Sequence, residues 1–136
     1  YAGGGTLASA LRERTIAGRD FPPAEVRRWI SQSGQALQYM HERAVLHRDL
    51  STKNIFLSEG GDAVVGDLGL SKALDRSQGG ALASTMCGTP YYLSPEMLGG
   101  QPYGKPADVW ALGVVMYELL TLQRPFAAAN IFALQK

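Results

Sequence analysis

The sequence predicts an α+β domain that is mainly α, with short β hairpins among its helices. Three observations predict it: an amphipathic stretch after Pro22-Pro23, two short apolar runs around a glycine-containing turn, and a long apolar stretch from Ala107 to Leu122. The chain has 136 residues, room for one domain of ordinary size. Apolar residues at 46% and charged residues at 18% match a globular protein and exclude wholesale disorder.

Leu7 to Arg14 reads as a short helix, followed by a polar loop through Asp20. Pro22-Pro23 before Ala24-Glu25 marks a helix start, because a first turn has unpartnered N–H groups and loses nothing to proline. Val26, Ile30, Ser33/Gly34, Leu37 and Met40/His41 then recur at helical spacing, giving an amphipathic helix of about five turns. His41 falls on its surface near the C-terminal end, where the helix dipole favours it, and Arg27-Arg28 falls on a solvated face. Val45 to Asn54 mixes apolar and charged residues without a period and reads as a loop. Ile55-Phe56-Leu57 and Ala63-Val64-Val65, either side of Ser58 to Asp62, read as two strands around a turn. Residues 66–104 have little period and much Gly, Ser, Thr and Pro, a loop long enough to be functional. Ala107 to Leu122 is helical and apolar nearly all round, with Asp108 and Glu118 its charged residues. It is expected to be a buried central helix, with Trp110 and the methionines in the core. Gln123-Arg124-Pro125 ends it, and Ile131 to Lys136 begins another.

Thirteen Lys+Arg against twelve Asp+Glu leave a net charge of +1, which argues against a nucleic-acid or polybasic membrane surface. The apolar run Val109 to Tyr117 is stopped by Glu118, too short to span a bilayer. A single cysteine, Cys87, precludes an internal disulfide framework and fits a reducing compartment. A cytoplasmic address is expected, with the cytoskeleton and the nucleus as alternatives. The chain opens Tyr1-Ala2-Gly3 without an initiating Met or signal peptide, and is expected to be cut from something longer.

Four segments carry chemistry. His47-Arg48-Asp49-Leu50-Ser51-Thr52-Lys53-Asn54 puts a carboxylate and an amide oxygen five residues apart on a loop, suiting one group that accepts a proton and one that ligates a metal. Asp67-Leu68-Gly69 sets a carboxylate after the Val64-Val65 strand, where glycine permits close approach of a hard cation. The others are Gly88 to Glu96 and Asp108-Val109-Trp110-Ala111-Leu112-Gly113. Taken singly, Asp49, Asn54 and Asp67 would each pass for turn residues. Gly3-x-Gly5-x-x-Ala8 has the form of a nucleotide fingerprint, but no strand precedes it and it is rejected.

In this order and spacing the four segments resemble the C-terminal lobe of a eukaryotic protein kinase, and the resemblance covers essentially residues 1–136. Gly88 to Glu96 and Asn54-Ile55-Phe56-Leu57 look most like the NIMA-related (Nek) serine/threonine kinases. The resemblance implies a partial kinase domain, from the hinge through the central buried helix to the start of the next, with the N-terminal lobe and last helices absent. It implies transfer of the ATP γ-phosphate to protein Ser/Thr, with Mg²⁺ and ATP as cofactors and a protein substrate as partner. Asp49 would accept the substrate hydroxyl's proton, and Asn54 and Asp67 would hold Mg²⁺. Ala2 in the hinge and Phe56 beneath the base would bind the nucleotide, and Thr89 would line the platform for the acceptor residue. His47 and Leu68 would join a regulatory stack of side chains, and Asp108 would anchor the backbone around His47-Arg48. Arg48, with Lys72, would bind a phosphate on the activation segment at Thr85, Ser84 being the second choice.

The sequence departs from the family's pattern in places. Ser51 stands where Ser/Thr kinases usually place a Lys that contacts the γ-phosphate, and Lys53 is the candidate to supply that charge. Leu68 replaces Phe and Ser94 replaces Ala. No glycine-rich phosphate loop, no Val-Ala-Ile-Lys strand and no late Arg partner for Glu96 is present. The isolated chain is therefore expected to be inactive. A pseudokinase-type binding module, for which Ser51 speaks, and an unfolded truncation product are the alternatives.

Overall fold

The computed structural model describes residues 3–66, 72–73 and 90–126, the pair 72–73 through its backbone alone. The helix expected from Ile131 lies outside these residues.

Thr6 opens α1 (Leu7–Ala17) with a reciprocal cap: its hydroxyl accepts from the Ser9 N–H at 3.1 Å, and its own N–H donates to Ser9 Oγ at 3.0 Å. Helix α1 continues past the expected end at Arg14 until Gly18 turns the backbone left-handed at φ 62°. The apolar pattern missed that last turn because Ile16 is 81% exposed. Helix α2 (Pro23–Glu42) buries Val26, Trp29, Ser33 and Leu37, one face at helical spacing, as expected. Phe21 packs edge-on against Trp29 at 5.3 Å and fixes the chain's entry.

Strands β2 (Ile55–Leu57) and β3 (Ala63–Val65) form the expected hairpin, with Ile55 opposite Val65 and Leu57 opposite Ala63. Helix α2 clamps its turn. Trp29 Nε1 donates to Gly61 O at 2.9 Å, Gln32 Oε1 accepts from the Ala63 N–H at 2.7 Å, and Gln32 Nε2 donates to Asp62 at 2.7 Å. Arg28 adds an ion pair to Asp62, so it is not simply a solvated-face residue, although Arg27 is. Gln32 first and Arg28 second hold the Asp62 carboxyl below its ordinary range.

Four elements were not expected. The supposed loop from Val45 starts as β1 (Val45–Leu46), paired antiparallel with β4 (Lys72–Ala73). Two residues show no alternation, and the partner lies far along the chain, so no local pattern could reveal the pairing. Within the long loop, a 3₁₀ turn (Pro90–Tyr92) and a short helix α3 (Pro95–Leu98) take shape.

The last described helix, α4 (Lys105–Thr121), is capped by Leu122 at φ 58° and packs on α2 and the 3₁₀ turn. Ala111, Val114, Val115 and Leu119 enter the main core with Leu7, Trp29, Leu37, Leu50 and Ile55. Leu46, Leu93, Met97, Tyr103 and Ala107 form a second cluster beside it. Helix α4 is not buried all round: Val109, Met116, Tyr117 and Leu120 are 43–59% exposed. Trp110, placed in the core by the sequence, stacks on Phe126 outside it at 5.7 Å, and of the described methionines Met97 alone is buried. None of the helices among the described residues is long and apolar enough to cross a membrane.

Candidate active site

The site is built outward from Asp108. It sits in the first turn of α4, 3% exposed, where the helix's free N–H end favours a carboxylate. Its Oδ2 accepts from the His47 N–H at 2.9 Å and its Oδ1 from the Arg48 N–H at 3.0 Å. This is the anchoring the sequence led us to expect, and it holds Arg48 in a left-handed conformation, φ 73°. A third bond was unforeseen. His41 Nε2 lies 2.7 Å from Asp108 Oδ2, with the imidazole only 12% exposed. His41 is therefore part of the anchor rather than a surface residue, because the carboxylate on α4 faces the end of α2.

His47 is wholly buried and uses both ring nitrogens structurally. Nε2 donates to the Gly66 carbonyl at 2.8 Å, and Nδ1 accepts from the Asp49 N–H at 3.2 Å. One nitrogen donating and one accepting specifies the tautomer with hydrogen on Nε2. Imidazole thus ties the loop bearing Asp49 to the segment leading into residue 67. A side chain at Gly66 would lie 2.7 Å from the Phe56 ring, so glycine lets that segment pass close to Phe56.

Asn54 closes the loop. Its amide nitrogen donates to Asp49 O at 2.7 Å and to Asp49 Oδ2 at 3.1 Å. Both donors being spent on Asp49, the amide oxygen is the group left to meet a cation. Phe56, half-buried on β2, lies beside residues 3–6: Gly4 N–H donates to Leu57 O at 2.9 Å, and Leu57 N–H to Gly5 O at 2.8 Å. Glycine is required at position 4, since a Cβ there would stand 2.7 Å from Ser58 O.

Asp49, Asn54, Phe56, His47 and Asp108 are thereby brought together. Arg48 reaches the other way, its Nε donating to Tyr103 Oη at 2.9 Å. Glu96 is half-buried on α3 and has no ion-pair partner among the described residues. Ala2, Asp67, Leu68, Ser84, Thr85, Cys87 and Thr89, and the side chain of Lys72, lie outside the described residues. Ser51 is 1% exposed, its hydroxyl unpartnered among the described residues, while Lys53 is exposed.

Sequence reasoning missed a second polar chain. Thr52 Oγ1 lies 3.1 Å from Tyr92 Oη, which donates to Glu118 Oε2 at 2.9 Å, and Arg124 Nε stands 3.7 Å from Glu118 Oε1. Burial raises the Glu118 carboxyl above its ordinary pKa and pushes the Tyr92 hydroxyl up to about 12. The available signal was Glu118 itself: a carboxylate deep in an apolar helix needs partners.

The chemistry of the donor set suits a hard cation only in part within the described residues. An amide oxygen and a nearby carboxylate are the ligand type Mg²⁺ takes, but no cluster of three acidic or His/Cys side chains occurs among them.

Comparison with known proteins agrees with the geometry. The protein kinase domain model matches residues 1–135. The chain is 43% identical over 134 residues to mouse serine/threonine-protein kinase Nek4, covering 98% of this chain and 16% of that protein. It is 46% identical over 138 residues to the probable serine/threonine-protein kinase nek3 of Dictyostelium discoideum, covering 98% and 12%. With human serine/threonine-protein kinase Nek5 it shares 41% over 133 residues, covering 96% and 18%. The chain thus spans less than a fifth of the length of these relatives. With a loop anchored on Asp108, Asn54 closed on Asp49 and a family match along nearly its whole length, the chain belongs to the protein kinase domain family, and its similarity there is to the Nek serine/threonine kinases.

Proposed function

We propose that this chain is the helical-lobe part of a serine/threonine protein kinase domain, and that the full-length protein transfers the γ-phosphate of ATP to protein Ser/Thr hydroxyls. The observation that carries this is the Asn54 amide bonded to both the backbone and the carboxylate of Asp49, on a loop whose backbone Asp108 fixes. A carboxylate held this way is positioned to accept the hydroxyl proton and orient the oxygen toward phosphorus. Asn54 Oδ1 and the carboxylate of Asp67 would hold Mg²⁺. When bound, the ion neutralises charge on the phosphates. Phe56 would lie beneath the adenine, with the hinge backbone at Ala2 at its edge.

Catalysis here is positioning and electrostatics, and the scaffold around Asp49 does both. The buried His47 and Asp108 take water's place around the loop and keep its peptide groups satisfied. Arg48 and Lys72 would receive a phosphate on Thr85.

The test is transfer from γ-labelled ATP with Mg²⁺ to a generic Ser/Thr protein by the full-length protein. Labelled phosphoserine or phosphothreonine is expected, lost on chelation and lowered at least about a hundredfold by Asn54→Ala. Transfer that survives both treatments would remove the metal role given to Asn54.

A further inference from the structure

The stretch that follows Asp49 forms one wall of a groove. Thr52 and Lys53 line it together with Arg12 of α1, Glu118 of α4 and Arg124, around a volume of about 430 Å³. Three cations and one carboxylate therefore line it. The carboxylate is already engaged: Glu118 is 2% exposed, accepts from Tyr92 at 2.9 Å and has Arg124 at 3.7 Å. Arg12 and Lys53 are exposed and form no ion pair among the described residues. Charge in the groove is thus positive where it meets solvent and compensated where it is buried.

We propose that this groove binds a negatively charged side chain of the protein substrate, a Glu or Asp or a phosphorylated Ser/Thr, near the acceptor hydroxyl presented to Asp49. The proposal deepens the kinase reading and rests on it for the placement of the acceptor. Arg12 can meet a carboxylate or phosphate with two parallel hydrogen bonds, and Lys53 meets it as a point charge. A phosphoryl group, carrying nearly two charges, gains more than a carboxylate. A basic substrate residue would have to compete with Tyr92 and Arg124 for Glu118 and would be repelled by Arg12 and Lys53 on the way.

The experiment measures binding, so it does not depend on turnover. Fluorescent peptides with a Ser acceptor carry Glu, phosphoserine, Ala or Arg, scanned one flanking position at a time, and bind the full-length protein without nucleotide. At one position Glu is expected to bind about three- to fivefold tighter than Ala, phosphoserine tighter still and Arg weaker. Arg12→Glu should reverse that order and Arg12→Gln should flatten it, with melting temperatures confirming that both exposed substitutions leave the fold intact. Preference for Arg, no preference at any position, or an order unchanged in Arg12→Glu would overturn the proposal. If the charge preference and its reversal hold while no peptide is ever phosphorylated, the groove stands and the kinase reading falls. If peptides are phosphorylated without charge preference, the groove falls alone.

Discussion

Arg48 shows what the site asks of a single residue. A left-handed backbone costs a non-glycine residue roughly 1–2 kcal/mol, and Arg48 adopts it at φ 73°. The cost is met because Asp108 accepts from both His47 N–H and Arg48 N–H. Removing that carboxylate leaves two amides unpaired, one of them in a buried residue. We therefore expect Asp108→Ala to lower stability by about 3 kcal/mol and to expose the His47 and Arg48 amides to hydrogen exchange. His41→Ala removes the third bond and spares the other two, so it should cost about 1 kcal/mol and leave those amides protected. Equal exchange in the two variants would contradict the anchor. Asp108 was legible in the sequence, because a carboxylate near the start of an apolar helix must find donors. His41 was not: on the helical pattern it sits next to the apolar face at Met40, and only the packing of α2 on α4 shows which way it turns.

At the scale of elements, the chain Thr52, Tyr92, Glu118 joins the loop after Asp49 to the 3₁₀ turn and to α4. This coupling has a pH signature. The Tyr92 hydroxyl sits at about 12 in the folded protein against 10.0 ordinarily, chiefly through burial. The unfolded chain therefore loses this proton first as pH rises. Stability from this group is complete below pH 10 and is lost as pH climbs toward 12, by roughly 2–3 kcal/mol. Tyr92→Phe should lower stability at neutral pH, by losing the bonds to Thr52 and Glu118, and should flatten the alkaline decline. A decline of the same size in the variant would assign it elsewhere. Helices α2 and α4 and the β2–β3 hairpin were readable because each carries its own period or turn. Pairing of β1 with β4 was not, because it joins segments far apart in sequence, and neither was the 3₁₀ turn, which has no apolar repeat.

For the whole molecule, the sequence order of four short segments carried more than any periodicity. Each segment is weak alone, yet the fold brings Asp49, Asn54 and the Asp108 anchor together. Helix α4 defines the limit of that reading. Its composition says buried on every side, but among the described residues its outer face, from Val109 to Leu120, meets solvent. An all-apolar helix announces that it will be covered without saying by what, and this chain spans less than a fifth of its relatives.

The proposed role of Asp49 is to accept the hydroxyl proton in a site that would bind nucleotide without it. The direct measurement compares the full-length protein with its Asp49→Asn variant for Mg-ATP affinity and for phosphotransfer to a Ser/Thr substrate. Affinity is expected to stay within about threefold, and transfer to fall at least about a hundredfold, in the variant. Transfer retained in Asp49→Asn, or no transfer by a folded wild-type protein carrying phosphate on Thr85, would contradict that role.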